Sequence, residues 1–95
     1  MGVLVYDRDF EVDIEDRTLA HLQVVIIDKL RRQERFPLVL EDGKRERVIW
    51  MTPETPLQFV YHGNRHPLLN RDWLEKLAEA AGSTRGLTVL PEPPM

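Results

Sequence analysis

The chain has 95 residues, 42% of them hydrophobic and 31% charged, with a formal net charge of -3. That size suits one domain around one modest core, and the composition is that of a folded protein rather than a disordered one. The acidic balance argues against a dedicated nucleic-acid binder, and the lack of cysteine excludes disulfides, thiol nucleophiles and thiolate metal sites.

No apolar stretch approaches the length of a membrane span, and no basic segment followed by an apolar block marks a secretory signal. A cytoplasmic protein without membrane association is the expectation. Val3, Leu4, Val5 and Tyr6 read as a strand, and Asp7, Arg8 and Asp9 as a turn. Phe10, Val12 and Ile14 then alternate with Glu11, Asp13 and Glu15, the period of a half-buried strand with an acidic outer face. The two strands form an N-terminal hairpin.

Asp16 is placed to cap a helix that runs to about Gln33. Leu19, Leu22, Ile26 and Leu30 fall on one stripe at helical spacing and predict its core face. Val24 and Val25 lie off that stripe, either as two scattered surface valines, which are common on folded proteins, or as a second contact surface. Lys29, Arg31, Arg32 and Arg35 gather at the negative end of the helix dipole, which accounts for them without a ligand.

Residues 36–40 form a strand, with Pro37 near its start favouring an edge or strand onset. Asp42-Gly43 is a hairpin signal, and residues 45–51 return as a strand. A rigid connection with Pro53 and Pro56 follows. Leu57, Phe59 and Tyr61 then alternate with Gln58, Val60 and His62, giving a third consecutive antiparallel strand. Asn70 caps a second helix whose apolar face is Trp73, Leu74, Leu77, Ala78 and Ala81, and Gly82 stops it. Residues 87–90 make a short last strand.

The elements run strand, strand, helix, three strands, helix, strand. This predicts an α+β fold, a mainly antiparallel sheet with two helices packed on one face. Residues 1–90 form the single domain, and residues 91–95 a stiff, exposed, proline-rich tail.

Chemistry-bearing side chains are densest between His62 and Trp73. His62, Asn64, Arg65, His66 and Arg71, joined by Arg17 and His21 if the fold brings them near, are candidates for an anion or nucleic-acid site. Arginine offers a planar fork for phosphate or carboxylate, and helix-start amides add positive potential. The bland alternative is a polar loop followed by a helix cap. His21, His62 and His66 match no standard metal spacing, and no metal or cofactor is expected. Ser83 is the only serine and lacks a nucleophile elbow, so no catalytic residue is named. Arg47 with Trp50, or Tyr61 with His62 and Arg65, would suit single-stranded nucleic acid, although Tyr61 shares the core alternation of its strand.

Several motifs recur together in one order: residues 16–22, Ile49-Trp50, residues 56–59, residues 70–75, Gly86-Leu87 and Pro91-Glu92-Pro93. Along nearly its full length the chain thereby resembles a family of small actinobacterial and actinophage proteins of unknown function, often labelled "ATP-dependent DNA ligase". The residues do not support ligation. Such a ligase carries adenylate on the lysine of a Lys-x-Asp-Gly motif, and none of Lys29, Lys44 and Lys76 precedes x-Asp-Gly.

The leading expectation is a non-enzymatic binding or regulatory module that works through protein contacts, as a homodimer or with a protein partner. Val24, Val25 and Trp50 are its candidate interface. The runner-up is an accessory nucleic-acid or nucleotide-binding protein that uses the residues named above.

Overall fold

A computed structural model describes residues 1–63 and 66–95. The elements are β1 (Gly2–Tyr6), β2 (Phe10–Ile14), α1 (Asp16–Arg31), β3 (Phe36–Asp42), β4 (Arg45–Met51), β5 (Leu57–Val60), α2 (Arg71–Ala81) and β6 (Leu87–Thr88). The α+β class and the element order are those expected. The strands, however, divide into two three-stranded sheets, ordered β2-β1-β5 and β4-β3-β6.

The division comes from β5. Instead of continuing from β4, it pairs antiparallel with β1, Tyr6 opposite Leu57 and Val3 opposite Val60. The segment before it contains Pro53 and Pro56, which cannot donate to a ladder, and is held by a Thr52–Thr55 hydroxyl bond of 2.7 Å. The Asp7 amide donates to the Pro56 carbonyl at 2.9 Å, fastening this connection to the β1–β2 turn. Chain direction therefore changes sheet where a hairpin was expected.

The β3–β4 hairpin is local and regular. Asp42 pairs with Arg45 across a two-residue loop in which Gly43 adopts a φ of 65°, a left-handed value without penalty for glycine. The last strand adds in parallel, Leu38 opposite Leu87. It approaches closely because Gly86, at φ 91°, has no Cβ; one placed there would lie 2.5 Å from the Pro37 carbonyl oxygen.

Helix α1 starts differently from the expectation. Glu15 occupies the cap position without a side-chain bond, and Asp16 is the first helical residue. The helix ends two residues early, in a Schellman arrangement. The Gln33 amide bonds to Leu30 O and the Glu34 amide to Lys29 O, with Gln33 left-handed at φ 63°. Helix α2 begins as predicted, with Asn70 Oδ1 accepting from the Trp73 amide at 3.3 Å.

Helix α1 packs on α2 and β1, while α2 packs on β6 and β3. One hydrophobic core joins all layers: Leu4, Val12 and Ile14 from the first sheet, Phe36, Leu38, Ile49, Met51 and Leu87 from the second, and Leu19, Leu22, Val25, Ile26, Trp73, Leu77 and Ala81 from the helices. Each large side chain buried there contributes about 1.5–3 kcal/mol. Val25 is thus part of the core, 4% exposed, and not a surface residue beside Val24. It lies three positions after Leu22, on the flank of the stripe.

Candidate functional site

The described members of the histidine-rich run lie after β5, in the following loop and at the start of α2, and His66 lines a groove beside α1. Asn64 and Arg65 lie outside the described residues. His62, His66 and Arg71 are exposed. The His62 amide donates to Asp16 Oδ1 at 3.4 Å, a long bond that ties β5 to the start of α1.

His21 and Arg17 are committed elsewhere. The His21 ring is fully buried. Its Nε2 accepts from the Asn70 amide at 2.8 Å, so the proton resides on Nδ1, which donates to the Arg17 carbonyl at 2.7 Å. The ring lies 4.5 Å from Trp73, tilted by 37°. This histidine is a structural link between the first turn of α1 and the cap of α2.

Arg17 spends its guanidinium on the C-terminal segment. Its Nε and Nη2 donate to the two Glu92 carboxylate oxygens at 2.8 and 2.6 Å, a bidentate fork, and Nη1 donates to the Leu68 carbonyl at 3.0 Å. Asn70 Nδ2 adds bonds to Glu92 Oε2 and the Pro93 carbonyl, and the Trp73 indole N–H donates to the Leu90 carbonyl at 2.9 Å. The Arg17 hydrogen bonds, reinforced by Asn70, hold the Glu92 carboxyl down to about 2, and the same pairing raises Arg17 above its ordinary value. Residues 90–93 therefore form a strap over the starts of both helices, although most of the tail remains exposed as expected. Among the described residues, no buried side-chain nitrogen or oxygen lacks a partner.

A different surface runs along the outward side of α1. Val24 is 41% and Ile27 40% exposed. On one flank, a groove of about 450 Å³ lies between α1 and α2, with Leu74 and Ala78 as apolar wall and Asp28, Arg31, Arg71 and Glu75 as charged wall. On the other, a groove of about 530 Å³ lies between α1 and β5, lined by Ala20, Phe59, Tyr61 and Leu69. Tyr61 donates to Gln23 Oε1, and burial, then Asp16, pushes its hydroxyl pKa up. Ile27 and Leu74 were not singled out for this surface; the 3.6-residue period marks Ile27 as neighbour to Val24, but only the packing of α2 exposes the ridge between two grooves.

Trp50 is 55% exposed, beside Val48 on the outer side of β4. Its carbonyl accepts the Tyr6 hydroxyl at 2.7 Å, so the strand edge there is already met. The Arg47 guanidinium lies 4.9 Å over the Phe10 ring. Among the described residues, no cluster of three His, Asp or Glu has metal-binding proximity, and no helix is long and apolar enough to cross a membrane.

The model of a family described as a domain of unknown function, DUF7882, matches residues 1–92. The chain belongs to this family. No curated protein and no solved structure is significantly similar to it. The DUF7882 match reaches Glu92, so the Arg17–Glu92 pair falls within its span, while Pro93 lies just beyond it.

Proposed function

We propose that this DUF7882 domain is a small non-enzymatic binding or regulatory module that works through protein contacts and associates with a second copy of itself. The observation that supports this reading is the ridge of Val24 and Ile27, exposed between two grooves on the outward side of α1. Apolar side chains in such a position gain by leaving water, and concave flanks allow a partner to interlock with them. A cytoplasmic setting and an actinobacterial or phage origin belong to the same proposal.

Sedimentation equilibrium at micromolar concentration tests it. A dimer that persists in moderate salt and is lost in Val24→Asp supports the reading. A monomer that captures no protein partner overturns it. The alternative, an accessory role in DNA metabolism, loses Arg17 to Glu92 and His21 to the core, and would rest on His62, Asn64, Arg65, His66 and Arg71. Its mark would be salt-sensitive DNA binding weakened by Arg71→Ala.

A further inference from the structure

The outward face of α1 reads the same from both ends. Ala20, Val24, Ile27 and Arg31 recur at intervals of four, three and four, the spacing of a helix–helix seam. The buried residues Leu19, Leu22, Val25 and Ile26 occupy the other side, so this seam is free to meet another helix. We infer, building on the self-association proposed above, that two copies of the chain dock through α1 laid antiparallel on α1, about a two-fold axis level with the Val25–Ile26 step.

Three features select a second copy as occupant. The axis sets Val24 against the partner's Ile27, so that the two exposed aliphatic side chains of each copy close over each other. It sets Ala20, the smallest residue of the seam, against the partner's Arg31, the longest; the groove beside Ala20 has room for that stem. It also sets Gln23 against the partner's Asp28. Gln23 uses Oε1 to accept from Tyr61, which leaves its amide nitrogen as the donor a carboxylate needs.

Charge points the same way. The groove between α1 and α2 carries two acids, Asp28 and Glu75, and two bases, Arg31 and Arg71. The charges of this wall cancel in number, with Asp28 also held by Arg32 at 2.7 Å within the chain, although the whole chain carries -3. A surface that meets itself across a two-fold must be balanced, since a single sign would face its own like. Arg31 and Arg71 make no ion pair among the described residues.

The test is a charge-swap series on the full chain, read as dimer dissociation constant by sedimentation equilibrium, with circular dichroism to establish folding. Val24→Glu alone and Ile27→Lys alone should each weaken the dimer at least about tenfold, the scale of a disrupted interface centre. The two single variants, mixed, should recover most of that loss as a heterodimer, because the carboxylate of one copy then faces the ammonium of the other across the axis, with no such pair available inside either copy. A parallel or off-register contact gives no recovery, and that result overturns the inference while self-association stands. Single variants that dimerise normally also overturn it, and a dimer lost in Trp50→Ser instead would move the contact to β4. A wild-type chain that stays monomeric removes the underlying reading along with the seam.

Discussion

The start of α1 and its middle differ in how fully their surroundings satisfy them. At the start, Arg17 and His21 reach the Asn70 cap, Trp73 and the strap at Glu92, and no buried side-chain nitrogen or oxygen among the described residues lacks a partner. Two turns later, Val24 and Ile27 stand in the open with a groove on either side. The first region has the character of a joint and the second that of a contact surface awaiting a complement. Charged and hydrogen-bonding residues, which would ordinarily draw attention as a site, here serve the joint. The plain aliphatic residues are the ones left available.

Substitutions can separate the two regions on one stability scale. Trp73→Ala should be the most severe, about 3–5 kcal/mol by urea unfolding, because it empties the core beneath the strap and removes the bond to Leu90. A loss below about 1 kcal/mol would mean that the joint contributes little. Asn70→Ala comes next. It removes the helix cap and both strap bonds, for about 1–2 kcal/mol.

Acid should act on the strap more gently. The Glu92 carboxyl has its pKa lowered from 4.5 to about 2 in the folded chain. Its contribution is complete above the unfolded value of 4.5 and is lost as pH falls from there through about 2. Melting temperatures of wild type and Glu92→Gln should differ most near neutrality and converge toward pH 2; a gap that stays constant would assign the effect to something other than this carboxylate. Val24→Asp should change the stability of the monomer least, within about 0.5 kcal/mol, while it abolishes association. If it unfolds the chain, as the same change at buried Val25 should, the ridge belongs to the core and the contrast disappears.

Much of the architecture was legible because its causes are local. Alternation at Phe10, Val12 and Ile14, the Asp-Gly turn, and Asn70 three residues before Trp73 each act over a few positions. The misread places have distant causes. Gln33 closes α1 in a left-handed conformation that normally advertises itself with glycine or asparagine, so the helix looked longer. Val25 was buried by packing from outside its own helix, which the helical period alone does not reveal. Arg17 and Glu92 stand 75 residues apart, and no spacing rule links a helix-start arginine to a glutamate between prolines. His21 looked like a ligand because a lone histidine carries the same letter whether it binds something or fills a core. The ridge was half visible: Val24 broke the amphipathic pattern, but Ile27 acquired meaning only with the grooves in place.

The pairing of β5 with β1 also has a consequence in time. Residues 3–6 cannot complete their sheet until residues 57–60 exist, and the intervening chain must form a loop that encloses α1 and the whole β3–β4 hairpin. Closing so long a loop is entropically costly and rewarded late, whereas the β3–β4 hairpin needs only its two-residue turn. During synthesis both hairpins can therefore form early, and each sheet then waits for a distant third strand, β5 for the first and β6 for the second.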